Sequence, residues 1–455
     1  MKEQLKFIKG KLGYGVGAIG LDLSYGMFYT YLSYYLSSVL NLPEAFLLIL
    51  TPIARIWDGI NDPMMGTIVD NTKTKLGKYR PWILIGALSN AVVLSLLFTS
   101  FGMSGMKLYI YIAVMWSMIP SFTSEEKERN LVATVARTFS GVGQGIISIL
   151  TPIICPLLSS DLEQKTDKGY SASGFSRWAI ICGVALVLFS LICFLTTKET
   201  NVVYNEKQKF SFKQIFNVIK SNDQLVVFMV FAMLSNAGWY LTSSTAAYYF
   251  SDALGDPTKQ SLFGTIGAVG SILGLLVVPL LSQKFSKRTT YTISLVFSIF
   301  GYALMLLFGA FIKLPIVLDI CYIIASIGIS SMFVSQTIFL ADIVDYGEYK
   351  NGVRNESITF SMKGFLQKMA YTIQTIVLFG TLWAMNYNAQ NEAGSFTNGT
   401  KTGIGVLAFG APIVFLTASL IVFRKKFKIY GELADNVHAY IIEKRKENSE
   451  NKKED

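Results

Sequence analysis

Three charged residues, Arg55, Asp58 and Asp62, follow one another at spacings of three and four within RIWDGINDPMMG, so a helix carries them on one face. The flanking sequence is apolar, and a rise of about 1.5 Å per residue from Pro43 puts Asp58 roughly 22 Å along that helix. An ionised carboxylate facing lipid at that depth costs several kcal/mol, which requires the face to point into the protein. Two acids one turn apart also repel, and a small cation between them relieves the repulsion. With Asn61 adjacent, Asp58 and Asp62 supply hard oxygen ligands for Na⁺ or Li⁺, or a place for H⁺. The alternative is an ion pair between Arg55 and one aspartate that only ties helices together.

A second polar stripe runs through Asp22, Tyr25 and Tyr29. A carboxylate accepts hydroxyl hydrogen bonds and aromatic rings cover C–H faces, a combination suited to a sugar. Arg137 and Lys368 each fall one or two turns inside an apolar block, where they neutralise these acids or donate to a ligand; Lys368 could equally snorkel to an interface. ADIVDYGEYK aligns Asp342, Asp345 and Glu348 on one face, with Lys350 and Arg354 following. That set reads either as an inner gate of ion pairs or as an ordinary solvated helix end.

The elements that must position these residues are membrane helices. The 455 residues are 52% hydrophobic and 15% charged, with mean hydropathy +0.44, which excludes an ordinary soluble domain. Apolar blocks long enough to cross roughly 30 Å of hydrocarbon recur along the chain. Spans are expected at 12–39, 44–70, 81–101, 107–122, 131–158, 175–197, 224–250, 260–282, 289–311, 314–345, 357–387 and 403–424. This is an all-α polytopic membrane protein of about twelve helices. It divides into a six-helix half at 1–197, a middle loop at 198–223 that reads as a hinge, a second half at 224–424, and a charged tail at 425–455, taken as a solvated helix or an extension without structure. The first apolar run is too long for a signal peptide and is expected to remain as span 1.

The net charge of +10 does not point to nucleic acid. Most Lys and Arg fall in alternate loops and the two tails, a positive-inside pattern that puts both termini in the cytoplasm. The basic turn GTIVDNTKTKLGKYR after span 2 has a weaker counterpart, LLSQKFSKRTTY, about 210 residues later. The pair suggests parallel six-span repeats around a midplane cavity, unless it reflects only the Lys-rich character of any such turn. Cys155, Cys182, Cys193 and Cys321 sit in apolar blocks as packing residues, and the single histidine, His438, lies in the tail, away from any relay or metal site.

GYGVGAIGLDLSYG, ARIWDGINDPMMG, KLGKYRPWILIG, IPSFTSEEKERNLVATVAR, LADIVDYGEYKNGVRNES and the Lys368 segment occur in an order that resembles the glycoside-pentoside-hexuronide:cation symporters of the major facilitator superfamily. The resemblance covers nearly the whole chain. It implies the major facilitator fold, a cation site at Asp58, Asp62 and Asn61, a sugar site lined by Asp22, Arg137 and Lys368, to which the stripe reading adds Tyr25 and Tyr29, and an inner gate at Asp342, Asp345 and Arg354. It also implies symport by alternating access, no enzymatic activity, no cofactor beyond the coupling Na⁺, Li⁺ or H⁺, a bacterial-type inner membrane location, and a monomer.

Span 4 departs from the family pattern. The stretch that ordinarily brings an aspartate, a stacking tryptophan and a cation-ligand threonine is missing before Trp116-Ser117-Met118-Ile119-Pro120. Residues 107–123 make only about 24 Å of helix. Trp116 is the candidate replacement ring, and no acid replaces the aspartate. Lys363, five residues before Lys368, is an additional charge that favours an acidic sugar. Two other readings stay open: a proton-driven drug or lipid transporter on the same scaffold, and a membrane protein whose transport is impaired by the short span 4.

Overall fold

The computed structural model describes residues 2–54, 57, 72, 74, 80–118, 130–159, 170–196 and 212–454. Arg55, Asp58, Asn61 and Asp62 lie outside the described residues. Helices dominate what is described. They are α1 (Lys2–Gly26), α2 (Glu44–Ala54), α3 (Arg80–Leu97), α4 (Gly105–Met118), α5 (Asn130–Leu158), α6 (Ala172–Thr196), α7 (Phe212–Ser221), α8 (Asp223–Tyr248), α9 (Lys259–Lys284), α10 (Lys287–Met305), α11 (Pro315–Asn351), α12 (Glu356–Ala384), α13 (Tyr387–Glu392), α14 (Asn398–Gly405), α15 (Ala411–Lys426) and α16 (Glu432–Glu454). Among the described residues seven helical stretches are long and apolar enough to cross a membrane.

Most boundaries fall within a few residues of the expected spans. The middle loop is the clearest difference, because Phe212–Ser221 within it is helical. Its apolar residues recur at Phe212, Ile215, Phe216 and Ile219, the spacing of a helix face, and Val218 is buried. The tail also folds as a helix, burying Val437 and Ile441.

The chain packs as two units, one of Met1–Phe210, Ser243–Ala268 and Thr375–Ala408, the other of Ser211–Thr242, Val269–Gln374 and Phe409–Asp455. In the first, α1 runs along α5 and α6, and α6 also packs on α3. Glycines make the close approaches: a Cβ on Gly143 would meet Asp22 Cβ at 2.8 Å, and one on Gly26 would meet Ile147 at 2.9 Å. In the second, α10 packs along α11 and against α15, and α16 lies on α11. Small residues again set the spacing, with Gly301 against Ala325 and Gly328 against Ser294 and Ser298.

Several rods are extended or interrupted by π-helical turns, at Met27–Tyr31, Tyr35–Val39, Tyr249–Ala253, Leu306–Phe311 and Val406–Gly410. Two of these ends carry one sequence pattern 214 residues apart, YYLSSVLNLP from Tyr34 and YYFSDALGDP from Tyr248. They close identically. Leu40 N donates to Tyr35 O at 2.9 Å and Leu254 N to Tyr249 O at 2.8 Å; Leu42 N donates to Leu36 O and Asp256 N to Phe250 O, both at 2.9 Å. The turn needs a left-handed residue, filled by Asn41 (φ 54°) and Gly255 (φ 77°). Leu306–Phe311 ends in the same turn through Lys313 (φ 61°) without the tyrosines.

Gly301 gives a direct check on the α10–α11 contact. A Cβ there would sit closer to the Ala325 backbone than carbon can approach. Gly301→Ala is expected to destabilise the detergent-solubilised protein by about 1–3 kcal/mol, the usual cost of overpacking. A thermal melt no lower than that of the parent would refute the contact.

Candidate functional site

In the first unit α1 brings Asp22, Tyr25 and Tyr29 to one stripe, as their spacing requires. All three are half-buried. Tyr25 and Tyr29 have ring centroids 5.8 Å apart, and Phe28 meets Tyr29 edge-on at 5.2 Å. Behind the stripe, Phe28 packs edge-to-face on Trp116 of α4 at 5.7 Å. Trp116 is fully enclosed, and its indole N–H has no acceptor among the described residues. Its ring therefore backs the stripe through Phe28.

The Cβ of Asp22 lies against Gly143 of α5. Arg137 belongs to the same helix, six residues earlier, and its side chain is outside the described set. In the π-helical turn that continues α1, Thr30 Oγ1 accepts from Gln144 Nε2 of α5 at 3.1 Å, so this seam also carries polar groups. In this part of the molecule the helices offer a carboxylate, phenols and an amide beside aromatic faces, the donor and acceptor set that a polyhydroxylated ligand needs.

The second unit holds Lys368 on α12, half-buried. It also holds residues to which the sequence reading gave little or no role. Trp239 on α8 packs against Tyr240 at 5.2 Å and edge-on to Phe333 of α11 at 5.3 Å. Lys363 Nζ donates to Thr337 Oγ1 at 2.9 Å. On α12 the exposed large residues Phe365, Ile376 and Trp383 share a face, and Lys363 sits on the opposite side of the helix wheel. An ammonium placed there faces protein, not lipid. Gln374, on Lys363's side of the wheel, is fully buried with neither amide atom paired among the described residues. A tryptophan near the centre of an apolar run was the available signal for Trp239, but tryptophan also serves as packing.

At one end of this unit the charged residues pair. Asp342 accepts from Lys287 Nζ at 2.7 and 2.9 Å. Arg354 donates to Asp345 at 2.7 Å and to Glu348 at 3.0 Å, and Glu348 also takes Lys444 of the tail helix at 3.0 Å. The Glu348 carboxylate holds the Lys444 ammonium above its usual range. Tyr349 and Tyr440 meet edge-on at 5.4 Å alongside. Of the three residues expected at an inner gate, Asp345 and Arg354 are joined to each other and, through Glu348, to the tail, while Asp342 pairs separately with Lys287, all inside one unit.

Residues 13–430 match the family described as MFS/sugar transport protein, and the chain belongs to that family. It is 25% identical to a raffinose carrier protein of Pediococcus pentosaceus, over 97% of this chain and 72% of the relative. It is likewise 25% identical to a lactose permease of Leuconostoc lactis, over 96% and 72%, and 26% identical to an isoprimeverose transporter of Lactiplantibacillus pentosus, over 92% and 89%. Among solved structures it resembles a bacterial homologue of the human lysosomal transporter Spinster, with TM-score 0.64 and 14% identity over 92% and 96% of the two chains. It also resembles the nucleoside transporter NupG, with TM-score 0.61 and 14% identity over 92% and 100%. The fold is that of the major facilitators, and the chain is a multi-pass membrane transporter, not an enzyme.

Glu348→Gln removes the negative charge shared by Arg354 and Lys444 and replaces one of its two acceptor oxygens with a donor. Because both pairs are part-exposed, the expected loss of stability is about 1 kcal/mol, shrinking as salt is raised. The readout is the melting midpoint at low and high ionic strength, and a midpoint unchanged at low salt would show that the network contributes nothing to the fold.

Proposed function

We propose that this protein is a secondary active symporter that couples entry of a glycoside, pentoside or hexuronide to a cation by alternating access. The single observation that carries the reading is the family match over residues 13–430, with relatives named as raffinose, lactose and isoprimeverose carriers aligned over more than nine-tenths of the chain. The half-buried carboxylate and phenols of Asp22, Tyr25 and Tyr29 support it, because such groups inside a lipid-embedded bundle serve a polar ligand.

In this reading Asp58, Asp62 and Asn61 hold Na⁺, Li⁺ or H⁺. Asp22, Tyr25, Tyr29, Arg137 and Lys368 hold the sugar, with Trp116 backing the stripe. The bound cation neutralises repulsion between the two acids and so favours the arrangement that binds sugar; coupling is the free-energy difference between sugar binding with and without it. Asp342, Asp345 and Arg354 form the inner gate, both termini are cytoplasmic, and the protein acts as a monomer in the inner membrane.

Uptake of radiolabelled raffinose, lactose, isoprimeverose and glucuronides into proteoliposomes, with and without an inward Na⁺ or H⁺ gradient, tests the proposal. At least one sugar is expected to accumulate only with a gradient. Asp58→Cys and Asp62→Cys are each expected to reduce gradient-stimulated uptake at least about tenfold, the effect of losing a charged ligand from a cation site. Full cation dependence in either variant would sink the site assignment.

A further inference from the structure

The duplicated helix ends meet inside the first unit, and one of their five differences places an acid in the buried interior. Where the first repeat has Ser38, the second has Asp252. Asp252 is 4% exposed. Tyr387, the first residue of α13, donates its phenol proton to Asp252 Oδ2 at 2.5 Å, and Tyr34 donates to Oδ1 at 3.4 Å.

The remaining hydroxyls fall into order from these two bonds. Because the single proton of Tyr387 goes to the carboxylate, the 2.6 Å contact between Tyr387 Oη and Ser38 Oγ has Ser38 as donor. Ser37 Oγ donates to Ser33 O at 2.9 Å, so the 2.7 Å contact between Ser37 and Tyr248 has Tyr248 as donor. Tyr34 and Tyr248, equivalent residues of the two repeats, lie edge-on at 5.1 Å, and Tyr248 meets Tyr387 at 5.6 Å. The carboxylate is therefore the terminal acceptor for phenols from two separate segments of the chain.

We propose that Asp252 is the latch of the membrane face opposite the N-terminal end of α1. Its two phenol bonds tie the end of the first span and the α12–α14 connection to the end of α8, and this face opens only when Tyr34 and Tyr387 release it. The connection reinforces the same closure. Asn388 N donates to Glu44 Oε1 at 2.8 Å, Asn391 Nδ2 to Ser38 O at 3.0 Å, and Asn41 Nδ2 to Glu392 Oε1 at 2.7 Å. The Asn391 bond is neutral and the Asn41 bond is exposed; Glu44 is a second buried carboxylate, but it takes a backbone N–H, whereas Asp252 is met by two phenols from separate segments in charge-assisted bonds. A buried acid without its phenols would be costly, so the face is either fully closed or opened to water around Asp252. Glycine at 255 and asparagine at 41 leave each closing turn free of strain, so opening can occur as a hinge at the helix ends.

The latch is tested by accessibility, which needs neither a known sugar nor transport. Ser251 is fully buried beside Tyr34 and Tyr170. A Ser251→Cys reporter in nanodiscs is expected to react slowly with a hydrophilic maleimide, after subtraction of the signal from the four buried native cysteines. Adding Asp252→Ala, or Tyr387→Phe, which removes only a hydroxyl, should speed labelling at least about tenfold, since each variant removes bonds made only in the closed state. A second reporter, Leu295→Cys, in the buried part of α10, should stay protected throughout. Unchanged labelling at 251 in both variants would overturn the latch. So would acceleration by Asp252→Ala with Tyr387→Phe unmoved, or equal acceleration at 251 and 295, which would mark general loosening. Failure here would leave sugar uptake intact, and failure of uptake would leave the labelling result standing.

Discussion

Lipid offers no hydrogen bonds, so each polar group inside the membrane must find its partner within the protein. That constraint accounts for the repeated local geometry of this chain. Serine and threonine side chains inside the spans bond back to carbonyls one turn earlier, as Thr51 does to Leu47, Ser95 to Ala91, Ser294 to Thr290 and Ser335 to Ser331. They behave as small residues that bring no unpaired hydroxyl. Where a helix must end, the π-helical turn closed by a left-handed residue at 41, 255 and 313 satisfies carbonyls that would otherwise be orphaned.

The same constraint decides how the helices pack. With no hydrophobic gain from leaving lipid, close backbone approach supplies the association. The contact between α10 and α11 is built from Gly301, Ala325, Gly328, Ser294 and Ser298, and that between α1 and α5 from Gly143 and Gly26. Both seams involve helices that carry ionisable residues. Asp22 sits at Gly143, and Asp342 and Arg354 lie on and beyond α11. Holding an ionisable group at a glycine seam fixes its depth and direction without a bulky side chain to do so.

The class of fold was legible because hydrocarbon thickness dictates span length, and blocks such as 172–196 and 259–284 stand out by composition alone. The stripe of Asp22, Tyr25 and Tyr29 was legible for a similar reason, since helical spacing fixes which residues share a face. Harder to read was whether a ring on that face stands open or is enclosed: Trp116 and Tyr29 have the same kind of sequence context, yet one is fully buried and the other is not. The helix at Phe212–Ser221 was overlooked because a lysine-rich segment between halves reads as polar on average, while its apolar residues carry the helical period. The Tyr-Tyr repeat escaped for the opposite reason. The basic pair at 66–80 and 280–291 stands out by charge, whereas the stronger match at the same separation lies mostly in uncharged residues.

The two repeats show how a duplicated backbone acquires a direction. Their turns are alike to within 0.1 Å in the closing bonds, so the geometry by itself would make a seal with no preference for either half. Among their differences, the acid at 252 in place of the hydroxyl at 38 changes the buried chemistry without changing the turn. A serine both gives and takes a hydrogen bond and can be satisfied by many neighbours, but an ionised aspartate only accepts, and buried it must be met by donors. Tyr34 and Tyr387 are those donors, and Ser38, the equivalent position, is left to support Tyr387 from the other side. The asymmetry therefore lies in the direction of the protons: Tyr34, and Ser38 through Tyr387, donate toward the second repeat's acid, whereas Tyr248 donates through Ser37 to the Ser33 carbonyl.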